Sequence, residues 1–412
     1  MSGTSEEEAG ASGAPGRIGL WLIGGRGAIS TCMVYGLHGL ATELLPPVGL
    51  VTASEPVSRL PLAGFEQFVL GGCEVRRAPL SDSVSDLVRQ GILPDHLVAA
   101  ASSEAAAYDA RLVPGVLDGP DVGVGDLDPE SARLGAAPPS EQIAAIRQQL
   151  VDFKRDHALD SVIVVNLASV EAWRDVGEAS TSLSAFRAAV AEGADLPVSV
   201  LYAAATFEEG AGYVNFTPNA GASWPALSEL ALERGLPHCG NDGKTGETLV
   251  KTALAPMFAH RALKVMSWVG YNMLGNRDGE VLSEPLHKRA KVENKDEVLR
   301  KLLAGQGGDL HSHVGIDYVP SLNDWKTAWD YVHFEGFLGA RMSLQFTWAG
   351  CDSALASPLV IDLARLCELS LRRGESGALT HTASFFKSPL EVDEHDFHVQ
   401  FRMLLDYVDR TL

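Results

Sequence analysis

The chain has 412 residues, with 33 Lys and Arg against 53 Asp and Glu, and a formal net charge of −20. A field of that sign repels nucleic acid and anionic membranes, so a general backbone-binding or membrane-surface role is excluded. Apolar residues at 46% and a length of one large or two ordinary domains predict a soluble globular protein with a well-buried core.

Residues 1–16 are Ser, Gly and Ala with three consecutive glutamates, Glu6, Glu7 and Glu8. They read as a solvated, disordered tail without the basic start and apolar core of a signal peptide. Structure is expected from Arg17. The apolar run Ile18–Ile23 ends in Gly24-Gly25-Arg26-Gly27-Ala28-Ile29-Ser30, followed by a helical pattern to about Leu40 and a second apolar run, Val48–Val51. Strand, glycine turn, helix and strand open a nucleotide-binding βαβ unit. Glycines let the backbone approach a pyrophosphate, and the helix presents its positive end to it. Glu55, shortly after the second run, is the candidate ribose-binding acid and favours NAD over NADP.

Further along, residues 108–140 are rich in Pro, Gly and Asp and read as an irregular excursion. An amphipathic segment covers 141–153, and Ser161–Leu167 reads as a strand buried on both faces. Val198–Ala205 and Tyr213–Phe216 continue an α/β alternation. From Trp268 the character changes, with a polar, turn-rich stretch at Tyr271–Gly279 and exposed-face strands at His313–Val319 and Arg341–Trp348. Ser357–Leu371 predicts an apolar helix with Pro358 in its first turn. No run approaches the ~20 apolar residues of a membrane span. The five cysteines are widely spaced without a CxxC, which points to reducing cytoplasm rather than to disulfides or a zinc ribbon.

The basic residues are unevenly distributed. Ten lysines stand against 23 arginines, and eight of the lysines fall between Lys244 and Lys326. Within them, Gly240-Asn241-Asp242-Gly243-Lys244-Thr245-Gly246-Glu247-Thr248 is a glycine-broken polar loop before a helical pattern. Such a loop either aims N–H groups and a lysine at a phosphate or at a cofactor, or is a helix cap built on Thr245 or Asp242. In Lys288–Lys295, Lys291 and Lys295 share a face if the segment is helical; converging ammonium groups depress each other's pKa and make one a base. The alternative is a solvated helix with Glu293 and Glu297 as partners. Lys326 and Lys387 each stand among aromatic neighbours, where they either act or snorkel. The histidines show no compact ligand spacing, with His311 and His313 only weak metal candidates.

Several of these stretches, in this order, resemble myo-inositol-1-phosphate synthases. They are Gly240–Gly246, Tyr271-Asn272-Met273-Leu274-Gly275-Asn276-Arg277-Asp278-Gly279, Lys291–Lys295, Ile316–Pro320 with Lys326, Cys351–Pro358, and Lys387. The resemblance runs from Arg17 to Pro389. Ser169-Val170-Glu171 stands where the family often has Asn-Thr-Glu.

The resemblance implies an α/β fold: a Rossmann-like NAD-binding domain, residues 17–240, interrupted by an α+β catalytic and tetramerising domain, 241–350. Residues 351–412 then return to the first domain. It implies NAD-dependent conversion of D-glucose 6-phosphate to 1D-myo-inositol 3-phosphate in a cytoplasmic homotetramer. C5 is oxidised, the ketone acidifies the C6 hydrogens, the enolate attacks the C1 aldehyde, and the ketone is reduced again. Lys291 then handles the C5 hydroxyl proton, Lys326 assists the hydride step, Lys295 stabilises enolate and phosphate, and Lys387 the C1 alkoxide. Asp278 and Asp242 orient lysines or a cation. Gly24, Gly25, Arg26, Gly27, Ala28, Ile29, Glu55, Ser169, Asp242, Gly243, Asp352 and Ser353 face the cofactor; Asn272, Gly275, Asn276 and Lys244 face the substrate. Divalent metal, monovalent cation or neither all fit, and no residue is assigned to a metal. The same lysines serve a relative closing fructose 6-phosphate to a five-membered ring. An NAD-binding regulator, which needs no lysine set, and a simple dehydrogenase, which accumulates NADH, are the remaining readings.

Overall fold

A computed structural model describes residues 15–119, 126–275, 299, 301–303 and 310–412. Most of the expected tail (residues 1–14), and Asn276, Asp278, Lys291 and Lys295, lie outside the described residues. The strands in chain order are β1 (Ile18–Ile23), β2 (Phe68–Glu74), β3 (Leu112–Pro114), β4 (Ser161–Asn166), β5 (Gly212–Asn215) and β6 (Pro237–Cys239). They continue as β7 (Lys264–Leu274), β8 (His311–Tyr318), β9 (Trp325–Glu335), β10 (Arg341–Cys351) and β11 (Gly377–Ala378).

Seven strands form one parallel sheet in the order β11-β6-β5-β4-β1-β2-β3. The order reverses between β1 and β4, and ligands of such sheets bind outside the carboxyl ends of the strands at that point. Helices cover both faces. In β1, Ile18, Leu20 and Leu22 enter one core with helices Ala28–Ala41, Asp352–Arg372 and Phe397–Thr411, while Trp21 and Ile23 enter the other. The second core is supplied by helices Pro139–Asp156, Val198–Glu208 and Pro225–Arg234. A strand buried on both faces needs the continuous apolar run that β1 and β4 have. Helix Asp352–Arg372 and β11 come from the end of the chain, so the C-terminal segment completes the sheet that the N-terminus began.

Four strands form a second sheet, β10-β9-β7-β8, with β7 parallel to β8 and antiparallel to β9. Its inner face meets helix Gly246–His260 through Phe258, Trp268, Val265 and Val332. On its outer face the rings of Tyr271, Trp329, Tyr331 and His333 stack in a row at 6.3 Å spacing.

Four sequence expectations are corrected. The second strand of the βαβ unit is Phe68–Glu74; Val51–Ala53 is a 3-10 turn, since Pro46, Pro47 and Gly49 break the short apolar run before it. The stretch 108–140 contains β3 and helix Pro129–Gly135, capped by Asp128. Tyr271–Leu274 belongs to the long strand β7, because its alternation of buried and more open residues continues from Trp268. The helix expected over 357–371 begins at Asp352, so Pro358 lies inside it rather than in its first turn.

Candidate active site

The glycine loop is held by neighbouring backbone. Gly24 and Gly25 donate their N–H groups to the Cys73 carbonyl at 3.0 and 2.9 Å. Gly24 has φ +88°, and a Cβ there would stand 3.2 Å from the Leu167 carbonyl oxygen, so the loop lies against the chain leaving β4. Gly27 caps helix Ala28–Ala41 without a side-chain hydrogen bond, and no acid stands in the first turn. The first-turn N–H groups of Ala28 and Ile29 and the helix dipole are thus left for an anion, which fits the pyrophosphate of NAD.

Arg26 braces this loop. Its Nε donates to Asp109 at 2.7 Å, a terminal nitrogen to the Arg76 carbonyl at 2.8 Å, and its N–H to Glu74 at 3.0 Å. Glu55 is exposed and paired with Arg59 at 3.2 Å. The acid at the carboxyl end of β2, where Rossmann sheets carry their ribose-binding carboxylate, is Glu74. Burial pushes its pKa up, but the hydrogen bonds and charge of Arg76 outweigh this and hold it below the usual carboxylate range. The sequence signal was present: an acid directly after the apolar Phe68–Cys73 run.

At the carboxyl ends of β4 and β5 the side chains become polar. Asn166 donates to Asn215 and to Thr217, both at 3.3 Å, and Thr217 donates to Asn215 at 2.7 Å. Asn215 donates to Asn241 at 3.1 Å, which carries the network to the loop after β6. Ser169 is held through its carbonyl by Asn219 at 2.9 Å. Beside it Glu171 accepts the Ser199 N–H and hydroxyl, both at 2.6 Å. Burial, reinforced by Asp118, pushes the Glu171 pKa up to about 7.

The loop 240–246 meets the segment 385–390 through backbone pairs. Lys244 N–H donates to Phe385, and Lys387 N–H donates to Asp242, both at 2.7 Å. Gly243 is obligatory here, because a Cβ would stand 2.0 Å from the Phe216 ring. The Lys387 Nζ donates to Asp242 Oδ1 at 2.7 Å. Lys244 is buried instead, donating to Gln400 of the last helix and lying 5.9 Å from the Phe397 ring centroid. Desolvation first, and the like charge of Lys387 second, lower its pKa to about 7. Thr245 caps helix Gly246–His260 in sequence, yet its hydroxyl donates to Asp352 at 2.9 Å.

Lys326 is the second residue of β9, opposite Leu274 in β7 and Gly350 in β10, and is half-buried. Two residues before it, Asp324 accepts the Ser353 hydroxyl at 3.0 Å, the Ser353 N–H at 3.2 Å and the Cys351 thiol at 2.9 Å. Ser357, one turn on, donates to the Ile29 carbonyl at 3.2 Å. These bonds tie the lysine strand to the start of helix Ala28–Ala41. Asn272 is buried in β7, and Gly275 follows that strand directly. Asp324 and Glu74 were not singled out by sequence; Glu74 ends β2 and Asp324 directly precedes β9, and those strand ends define them.

Among the described residues, no group of three or more His, Cys, Asp and Glu is arranged to hold a metal ion. The exposed His311 and His313 belong to β8. No described helix is long and apolar enough to cross a membrane.

Residues 18–408 match the NAD-binding family described as myo-inositol-1-phosphate synthase. Inositol-3-phosphate synthase 1 of Bacteroides thetaiotaomicron is 32% identical, over 95% of this chain and 94% of the relative. The enzyme of Sesamum indicum is 30% identical over 76% of this chain, which spans 62% of that relative's length. In fold, the chain is similar to the inositol-3-phosphate synthase of Caenorhabditis elegans, with a TM-score of 0.83 over 96% of this chain and 86% of that one, at 24% identity. The chain belongs to the myo-inositol-1-phosphate synthase family and is an NAD-using isomerase of that type.

Proposed function

We propose that the chain converts D-glucose 6-phosphate to 1D-myo-inositol 3-phosphate by a redox-neutral intramolecular aldol closure. The observation that carries this reading is the meeting of Lys387 and Asp242 beside the polar ends of β4 and β5, in a sheet whose first helix start is left open for an anion. Family membership over residues 18–408 supports it.

Gly24, Gly25, Gly27, Ala28 and Ile29 hold NAD, with Glu74 at its ribose. Ser169, Gly243 and the Asp352–Ser353 helix start line the other side of the crevice. Bound NAD supplies a hydride acceptor that becomes a hydride donor within the same turnover. The chain's own groups manage charge. The Lys387 ammonium stabilises the oxygen that turns negative at C1 as the C1–C6 bond forms. Lys326 stabilises the C5 oxygen when its charge changes. The proton from the C5 hydroxyl goes to Lys291, and Lys295 balances enolate and phosphate, as the family resemblance assigns them. An ammonium serves each step because it is both a proton source and a positive charge. Residues 17–240 with 351–412 form the cofactor-binding domain on this reading, and 241–350 the catalytic one. The open aromatic row Tyr271–Trp329–Tyr331–His333 is the surface through which copies assemble into a tetramer. The five buried thiols suit the reducing cytoplasm, to which we assign it.

The test is purified protein with NAD and either glucose 6-phosphate or fructose 6-phosphate, the phosphorylated product identified by NMR. Inositol phosphate without net NADH is expected from the first. A five-membered cyclitol phosphate from the second would move the substrate assignment, and an inert result with both would remove the reading. Lys326→Ala should abolish turnover while the fold persists; full turnover in that variant would overturn the role of Lys326.

A further inference from the structure

The last helix, Phe397–Thr411, reaches back to the loop that carries Asp242. Asp396 caps it, accepting the His398 N–H at 2.8 Å and the Val399 N–H at 3.4 Å, and Gln400 follows one turn inside. Gln400 is fully buried, and both ends of its amide are used. Its Oε1 accepts from Lys244 Nζ, and its Nε2 donates to the Glu394 carbonyl at 2.5 Å. A carbonyl only accepts, so the NH2 end must face Glu394 and the oxygen is left for Lys244. A lysine keeps N–H donors in either charge state, so this contact does not depend on its titration.

Lys244 stands two residues past Asp242, and the two flank the bridge between Gly243 and Phe386. Beside that bridge, Asn241 and Ser388 exchange N–H···O bonds of 2.8 and 3.2 Å. The backbones are thus paired, yet the Asp242 carboxylate is carried by a residue with φ +61°. The left-handed region is unfavourable for a residue with a Cβ and persists only where the surroundings over-determine it. Lys244 supplies part of that hold, with its N–H fixed to Phe385 and its side chain to the last helix. Through Glu394, Gln400 also holds the segment that leaves Lys387. One buried amide therefore touches both chain segments that make the Lys387–Asp242 pair.

We propose that Gln400 is a positioning residue for the Lys387–Asp242 pair, acting through Lys244. It fixes the loop 240–246 against the returning segment, so that the carboxylate meets the ammonium. This rests on the proposed function only in taking Lys387 as the group that serves the C1 oxygen. The last helix thus acts on the reaction without touching the substrate.

The experiment is a double-mutant cycle on the full chain with NAD and glucose 6-phosphate: wild type, Gln400→Leu, Lys387→Met and the double variant. Gln400→Leu keeps a side chain of similar size without an acceptor. It should lower kcat about tenfold, because a displaced ammonium loses its alignment, while KM and the Kd for NAD stay within about twofold. In the Lys387→Met background the same change should alter kcat by less than about twofold, since no ammonium is left to position. An equal loss in both backgrounds would make Gln400 merely structural and overturn the proposal; so would no loss in either. Lys244→Met removes the contact from the loop side and should repeat the pattern, which decides the matter if Gln400→Leu does not fold. Wild-type protein inert on glucose 6-phosphate would instead remove the function reading. Positioning is then read without turnover, by NMR after reductive 13C-methylation, with the Lys387 signal assigned by its loss in Lys387→Met. In Gln400→Leu that signal should titrate at lower pH, because an ammonium set apart from its carboxylate gives up its proton more easily. An unmoved signal would overturn the role of Gln400.

Discussion

The Lys387 ammonium and the Asp242 carboxylate meet at 2.7 Å although 145 residues separate them, each largely shielded, with side chains 18% and 20% exposed. Asp242 comes from the loop after β6 and Lys387 from the segment that returns after β11, so the pair exists only once the C-terminal segment has docked. A hydrogen bond of this kind orients the ammonium. Lys387→Met should lower kcat by about 10²–10⁴. Asp242→Asn, which keeps the shape but removes the charge, should lower it less and raise KM little. Equal kcat in both variants and the wild type would show that the pair is only structural.

Glu74 and Glu55 make opposite predictions about cofactor affinity. Glu74 ends β2 and accepts the Arg26 N–H of the glycine loop, whereas Glu55 is exposed beside Arg59. Glu74→Gln should raise the Kd for NAD by about tenfold or more, since hydrogen bonds to a charged acceptor are worth roughly 1.5–3 kcal/mol. Glu55→Gln should leave it within about twofold. Calorimetric titration of NAD into each variant distinguishes them, and a reversed order would return the ribose to Glu55.

The contrast shows what was legible in the sequence. The first strand, the glycine turn and the first helix could be read because a buried parallel strand is a continuous apolar run and the turn is spelled in glycine. The second strand was misplaced because β2 carries Gly71 and Gly72, which weaken a strand pattern. The structure gives their reason: a Cβ at Gly71 would stand 2.4 Å from the Phe153 ring, and one at Gly72 2.1 Å from the Leu22 carbonyl. With the strand misplaced, the acid at its end was taken as Glu55, whereas β2 ends at Glu74. The lysine-rich region was visible as a bias in composition, and family motifs selected among its members. The buried ion-pair cluster of Glu247, Lys251 and Asp330 was invisible, because Glu247 and Lys251 at i,i+4 look the same in sequence whether solvated or sealed.

Gly275 has a steric duty that its motif conceals. A Cβ there would stand 2.3 Å from the Asn323 nitrogen and 2.7 Å from the Leu322 carbonyl carbon, both backbone atoms of the turn leading to Asp324 and Lys326. Gly275→Ala must push that turn away, at a cost of about 1–3 kcal/mol in stability. Turnover should fall further than stability alone explains, because Lys326 moves with the turn. Urea denaturation and kcat measured side by side test this; wild-type values for both would mean that the turn yields without consequence.

Lys244 gives a pH signature with a definite sign. Its side chain is 3% exposed, and desolvation together with Lys387 lowers its pKa from 10.5 to about 7 in the folded protein. Below about pH 7 both folded and unfolded chains hold this proton, and the cost of burying the charge is fully in force. Between about pH 7 and 10.5 the unfolded chain keeps a proton that the folded one has released, so the contribution of Lys244 to stability rises with pH, by at most ~1.4 kcal/mol per unit. Lys244→Met removes the titrating group. The stability difference, wild type minus variant, should therefore climb between pH 7 and 9.5 in urea denaturation. A flat difference would mean that Lys244 stays charged in the folded state, with Gln400 and the Phe397 ring sufficient to hold it so.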